Sequence, residues 1–425
     1  PGDQGLEAAA GGGAAARMIL WVYAWRNLLR NGRRTALTAG TIAAGLAAVM
    51  FGQSLLRSFQ LQMIEKATGV MLGHVQVQAE GVVDTKLPET LLSSQLPCRD
   101  RLEADPEVKA AGARILYTGL VYSAAASRGV LVAGVEPEAE KKLSIIPDYM
   151  SQGKYLDEDP RGIVIGAQLA RDLDARLGER LVVMAQSRGG DGGMNSELFR
   201  LSGVFKTNST AYDGQIVYVR LEAAQRIRGR PGAVSHLVAR LSDPRRAEGF
   251  ARERGAAIGG GGAKVLSYRD VGSEIVGIKK FQDALLVVIL IVIFAIVGLG
   301  ILNTISMSFF ERIREFGVLR AIGARPGALY RLLFAESVIL GLIGVVGGLG
   351  LGACAIGFFG KVGLALPLGK AMSYFMPFDD VIYMKAQWPM HLWSALGLFG
   401  VCVAAAVGPA LRGGRLVVSD ALRHV

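Results

Sequence analysis

The chain has 425 residues, 51% of them hydrophobic and 7% aromatic, with a formal charge of +11. That apolar content is high for a soluble protein, and the clustering of the arginines described below argues against nucleic acid as the partner the charge would suggest. The 3 cysteines (Cys98, Cys354 and Cys402) build no disulfide framework, since two lie in apolar runs and Cys98 is left alone.

Residues 1–17 are rich in Gly and Ala without periodicity and are expected to form a flexible lead, with Met18 a candidate start. Over 18–34, Trp21, Trp25, Leu28 and Leu29 interleave with Arg26, Arg30, Arg33 and Arg34. This is the pattern of an amphipathic helix lying at a membrane interface, where aromatic rings suit the headgroup layer and arginines suit anionic lipid. Apolar runs follow at 35–56, 281–310, 332–359 and 388–411. Each is long enough to cross a bilayer, which takes roughly 20 apolar residues. The first run lacks a cleavage site and reads as a retained anchor. It is rich in Ala and Gly, which favours close packing along one face.

Residues 57–280 have the composition of a soluble domain and can bury a core of their own. His74–Gln78 alternates as a strand, and Pro88–Glu103 reads as a helix. Strands are predicted at Arg114–Tyr122, Gly129–Val135, Gly162–Gly166, Ile216–Val219, Ser235–Leu241 and Lys264–Ser267. Arg180–Ala185 and Leu198–Phe205 are predicted as a hairpin joined by a Gly-rich connection, Gln186–Glu197. Helices are predicted after Gly166, over Leu221–Arg228, near Pro244–Arg254, and over Asp270–Gln282 running into the second span. The fold class is therefore an α-helical membrane protein of four transmembrane helices, with a large α+β extracytoplasmic domain inserted between helices 1 and 2. Arginine clusters precede span 1 (Arg26–Arg34), separate spans 2 and 3 (Arg312–Arg331) and follow span 4 (Arg412–Arg423). With four spans these fall on one side, the cytoplasm by the positive-inside rule, which puts both termini there too.

Between spans 2 and 3, residues 311–331 form a charged strap. Glu311 with Arg314, and Arg312 with Glu315, are opposite charges three residues apart on a helix. Gly323 can end that helix and Pro326 can begin the next. Glu336, inside the third run, can reach water or pair with an arginine of the strap. Asn303, the polar residue in the middle of span 2, is expected to bond a neighbouring helix. In span 3, Gly344, Gly348 and Gly352 form a close-packing face, either within the subunit or across a dimer. Residues 360–387 are expected to be an outer loop and 412–425 a cytoplasmic tail. Catalytic constellations are not apparent: His74, His236, His391 and His424 have no metal-ligand spacing, and no phosphate loop is present. No catalytic residue, metal site or cofactor is expected in this chain.

The stretch Arg314-Glu315-Phe316-Gly317-Val318-Leu319-Arg320-Ala321-Ile322-Gly323-Ala324, with Phe334-Ala335-Glu336-Ser337, resembles the FtsX-like permease domain of ABC transporters of the MacB and lipoprotein-releasing (LolC/LolE) type. Trp25-Arg26-Asn27-Leu28, and Ile165-Gly166-Ala167-Gln168-Leu169-Ala170 followed by Leu177-Gly178-Glu179-Arg180-Leu181, extend the resemblance over most of the chain. It implies a multi-pass protein of the inner membrane with its large domain in the periplasm. The implied partners are a second permease (identical or not), an ABC ATPase dimer that binds ATP and Mg, a lipoprotein cargo, membrane lipid and a soluble periplasmic carrier. The strap would be the coupling helix, with Glu311, Arg312, Glu315, Phe316, Leu319, Arg320 and Ala324 at the ATPase. Met50, Phe51, Leu299 and Asn303 would line a cargo cavity, and Arg188, Met194 and Phe199 on the hairpin would meet the carrier. Gly73-His74-Val75-Gln76-Val77 and the hairpin resemble the lipoprotein-releasing branch more than the MacB branch. The alternatives are a MacB-like exporter of peptides or other periplasmic substrates, and an FtsX-like transmitter that signals to a cell-wall hydrolase.

Overall fold

Glycine spacing decides how the apolar helices meet. In the computed structural model, which describes residues 21–82, 87–88, 90–93, 97–156, 159–188, 192–207, 209–260, 262–321, 326–365 and 381–414, four helices are long and apolar enough to cross a membrane: Gly32–Leu72, Ser273–Glu311, Tyr330–Val362 and Trp388–Pro409. These are spans 1 to 4. A Cβ on Gly344 would lie 2.6 Å from Ile42, one on Gly348 2.8 Å from Leu46, and one on Gly352 2.7 Å from Met50. The glycine face of span 3 is thus filled by span 1 of the same chain, so the expected close contact is internal. Ile42, Leu46, Met50, Val297, Ile301, Leu340, Leu398 and Cys402 form the core where the four helices meet. Spans 1 and 4 also share a buried polar network. Ser54 Oγ lies 3.0 Å from His391 Nε2, His391 Nδ1 3.2 Å from Gln53 Oε1, and Gln53 Nε2 donates to Ser394 Oγ at 2.7 Å.

The chain divides into two compact units. One lies within Pro1–Ser58, Phe281–Leu364 and Ile382–Val425, and the other within Phe59–Lys280 and Ala365–Val381. The helices Gly32–Ala67 and Ser273–Glu311 carry the chain from one unit into the other.

The second unit is α+β. Its strands are β1 (Val75–Ala79), β2 (Leu92–Ser93), β3 (Val108–Tyr122), β4 (Ser127–Val135), β5 (Met150–Gly153) and β6 (Gly162–Gly166). They continue with β7 (Arg180–Gln186), β8 (Met194–Phe205), β9 (Ile216–Arg220), β10 (Ala233–Val234), β11 (His236–Leu241) and β12 (Ala263–Ser267). Ten of them pair in the order β12-β1-β11-β3-β4-β9-β6-β8-β5, with β7 bridging β3 and β8. That bridge closes β3, β4, β9, β6, β8 and β7 into a ring, so each of these six strands has a neighbour on both sides over part of its length. Val121, Val130, Val132, Ile163, Ile165, Val183, Phe199, Leu201, Val217 and Val219 belong to the core of this unit.

Several expectations need correction. Of the helix expected over Pro88–Glu103, Cys98–Glu103 is helical, Leu92–Ser93 lies in β2, and residues 89 and 94–96 fall outside the described residues. Pro97 has no amide to donate and disfavours helix in the residue before it, so the helix starts there. The helix expected over Asp270–Gln282 breaks at Gly272, which separates a turn at Tyr268–Val271 from Ser273–Glu311. The hairpin connection is shorter than expected because both arms extend to Gln186 and Met194. Most of the outer loop expected at 360–387, and most of the tail, fall outside the described residues.

Where span 1 ends, a π-turn at Thr68–Leu72 meets a buried ion pair. Arg114 Nη2 and Nε donate to the two carboxylate oxygens of Glu140 at 2.7 and 3.0 Å, and Nη1 donates to the carbonyl of Met71. The guanidinium thereby caps the carbonyl end of a helix, the end a cation favours.

Candidate functional site

The strap folds as a short helix, Ile313–Ala321, after a break at Arg312. The next helix begins at Pro326, as expected, while Gly323 and Ala324 lie outside the described residues. Beneath the break, Ile313 and Tyr330 pack on Phe309 and Leu333. Charge holds the rest. Arg312 Nη1 donates to Glu336 Oε1 at 3.0 Å and its Nε to Glu315 Oε2 at 3.2 Å. Glu336 therefore pairs with a strap arginine, as its position in span 3 suggested. Glu311 does not take the expected Arg314; it accepts from Arg34 at 2.6 Å. Glu315 also accepts from Arg30 at 3.0 Å. That bond, ahead of the one from Arg312, holds the Glu315 carboxyl below its ordinary pKa. Asn27 Nδ2 completes the junction by donating to Glu336 Oε1 at 2.8 Å.

This geometry changes the roles expected of the strap residues. Arg312 is buried, with its guanidinium shared between two carboxylates, so it organises the junction and presents no docking surface. Glu311 and Glu315 face arginines of the N-terminal segment. Among the described side chains of the strap helix, Arg314, Glu315, Val318 and Ala321 are exposed, and Glu315 is the one engaged by arginines. The side chains of Phe316, Leu319 and Arg320 fall outside the described residues. Asn27, Arg30 and Arg34 belong to this site, but sequence reasoning placed them only at the lipid interface. Ion pairs separated by nearly 300 positions leave no local periodicity to read.

A groove of about 320 Å³ runs between spans 1 and 2, lined among others by Arg34, Thr38, Thr41, Asn303, Thr304 and Met307. Of the residues expected in a cargo cavity, Asn303 alone lines it. Met50 is buried against span 3, Phe51 meets Phe359 edge-to-face at 5.6 Å, and Leu299 is exposed elsewhere on span 2. The four do not share one cavity. The hydrogen bond expected of Asn303 is made by its neighbour, Thr304 Oγ1 lying 3.0 Å from Thr38 Oγ1.

On the hairpin, Met194 is 55% exposed, but Phe199 is 1% exposed and is a core residue, so it is corrected as a carrier contact. The alternation of a strand puts Met194 and Phe199 on opposite faces. Arg188 sits beside the tip, its amide donating to Arg228 O at 2.9 Å and its carbonyl accepting from Arg230 Nε at 2.9 Å. Leu120, Met194 and Leu198 are exposed on β3 and β8, with Val182 and Met184 of β7 half-buried between them. The registers Leu120–Met184 and Val182–Leu198 place these on one outward face of the three-stranded region. Leu120 and Leu198 were not anticipated, although the even-numbered alternation along Met194–Arg200 carried the signal. Among the described residues no group of His, Cys, Asp or Glu is placed to hold a metal.

Comparison with known proteins adds independent findings. The FtsX-like permease C-terminal family matches residues 287–417, and the MacB-like periplasmic core domain matches 35–254. The chain is 23% identical over 398 residues to the lipoprotein-releasing system transmembrane protein LolE of Haemophilus influenzae, covering 90% of this chain and 92% of that one. It is 21% identical over 412 residues to LolC of Neisseria meningitidis, covering 93% and 96%. It is 28% identical over 377 residues to the macrolide export ATP-binding/permease protein MacB of Nitrobacter winogradskyi, covering 83% of this chain and 54% of MacB.

Proposed function

The chain belongs to the FtsX-like ABC transporter permeases with a MacB-like periplasmic core domain, and from that premise we propose that it is the membrane subunit of an ATP-driven lipoprotein-releasing exporter. A permease of this family is a non-catalytic transmembrane component and works with an ATPase. The observation that carries the finer reading is alignment with LolE and LolC over 92% and 96% of their lengths.

In this reading the termini and the strap are cytoplasmic, and ATP and Mg are bound by a separate ATPase dimer. Arg314, Val318 and Ala321 face that ATPase, a second permease completes the complex, and the acylated cargo enters beside spans 1 and 2. The apolar face of Leu120, Met194 and Leu198, with Arg188 at its end, receives a soluble carrier. Depleting the chain and fractionating the membranes tests this: acylated lipoproteins should accumulate in the inner membrane, and normal sorting would eliminate the proposal. The MacB similarity favours a second reading, export of a periplasmic substrate. In that case depletion leaves lipoproteins sorted and raises sensitivity to an exported compound.

A further inference from the structure

The helix over residues 21–30 has three faces, where a surface helix ordinarily needs two, one apolar and inward, the other polar. Trp21, Val22, Trp25 and Leu29 are exposed along one. Ala24 is buried, and Asn27 and Leu28 half-buried, along the second. Arg26 and Arg30 are exposed between them, and Arg33, at the start of the next helix, is exposed as well. Exposed indole rings beside cations are the chemistry of a membrane–water boundary, since the rings sit at headgroup level and the cations meet phosphate.

The four arginines of this segment are not equivalent. Arg30 and Arg34 are engaged by Glu315 at 3.0 Å and by Glu311 at 2.6 Å. Arg26 and Arg33 have no ion-pair partner among the described residues. One short segment therefore presents outward aromatic rings and two cations that no described residue neutralises. On its other sides it is tied to the strap helix and, through Asn27, to Glu336 of span 3.

We propose that this segment binds anionic phospholipid headgroups through Arg26 and Arg33 and that it positions the strap through Asn27, Arg30 and Arg34. The lipid-binding half stands on the geometry alone; the positioning half rests on the reading of the strap as the ATPase-docking element. A basic side chain near an anionic surface gains about 1 kcal/mol, so two together give roughly a thirtyfold preference for anionic over neutral lipid. Bound headgroups fix the helix against the membrane, and its bonds to Glu311, Glu315 and Glu336 fix the strap against the helix.

The test uses the full chain with its co-purified ATPase in nanodiscs of phosphatidylcholine, with and without phosphatidylglycerol. Phosphatidylglycerol retained by the complex is read by native mass spectrometry, and ATP hydrolysis is read in both discs. The wild type should retain phosphatidylglycerol selectively and hydrolyse ATP at different rates in the two discs. Arg26→Gln with Arg33→Gln should lose roughly thirtyfold of the lipid preference and, with it, the difference in hydrolysis. Arg26→Lys with Arg33→Lys should keep both, which separates charge from folding. Asn27→Leu with Arg34→Gln should keep the lipid preference but lose the difference in hydrolysis. Equal retention by the wild type and the Arg26→Gln/Arg33→Gln variant overturns the lipid site. Equal hydrolysis by the wild type in both discs overturns the positioning role. A chain that brings down no ATPase instead counts against the function proposed above, while lipid retention still decides the lipid site.

Discussion

Among the described residues two arginine–glutamate pairs are buried, and they are built differently. Arg114 and Glu140 are 3% and 1% exposed, bound fork to fork, with the third guanidinium nitrogen on the Met71 carbonyl. Arg312 and Glu336 share a single bond, and each has another partner, Glu315 for the arginine and Asn27 for the glutamate. The first pair is closed: every strong bond it makes is to one acid or to a helix end. The second is a junction through which the strap, span 3 and the N-terminal helix all hold one another. Desolvation makes a closed pair costly to break by halves. A shared pair at the edge of the bundle can exchange partners, which suits a place where a permease must move.

Breaking the closed pair should have the largest effect. Arg114→Met leaves Glu140 buried and uncompensated and should cost about 3–5 kcal/mol, whereas Arg114→Met combined with Glu140→Leu should recover most of it. Chemical unfolding of the full chain in detergent measures both; a single variant as stable as the double would make the two pairs alike after all. Glu336→Gln should cost less, about 1.5–3 kcal/mol, the scale of a charged hydrogen bond, because Arg312 keeps Glu315. An effect as large as that of Arg114→Met would show that the junction does not share its load.

Acid sharpens the contrast further. His236 is buried beside Arg114, and burial first, then the positive charge of Arg114, pushes its pKa from 6.5 down to about 3. The folded state therefore binds fewer protons than the unfolded state between those values, so stability present above pH 6.5 is lost as the pH falls towards 3. The slope from this group is about 1.4 kcal/mol for each pH unit, and His236→Phe should flatten it in acid melts. The smallest effect is expected at the exposed end of the junction. Arg30→Gln removes a surface pair with Glu315 and should change stability by under about 1 kcal/mol, a limit that thermal melts of the variant can check.

Much of the plan was legible in the sequence because it rests on local pattern. Hydropathy over 20 or so residues marks a span wherever it sits. The apolar run Gly162–Gly166 and the turn into Ala167–Asp172 are visible within a dozen residues, as are the helix Leu221–Arg228 and the helix start at Pro326. The Glu336 pairing was also foreseeable, since a carboxylate in an apolar run needs a nearby cation. The residues expected in the cargo cavity lie apart for a physical reason. Met50, Phe51, Leu299 and Asn303 share hydropathy and depth, but which side of a helix faces a neighbour depends on the other helices.

By itself the sequence determined four apolar helices, an α+β insertion between the first two, and a charged strap between the second and third. Each follows from the composition and period of a contiguous stretch. Only the tertiary structure decided that the glycines of span 3 seat Ile42, Leu46 and Met50 of the same chain. It also closed six strands into a ring and drew Asn27, Arg30 and Arg34 onto the strap. Those outcomes depend on which surfaces meet, and desolvated charge and close-packed glycine register such meetings between residues that are far apart in the chain.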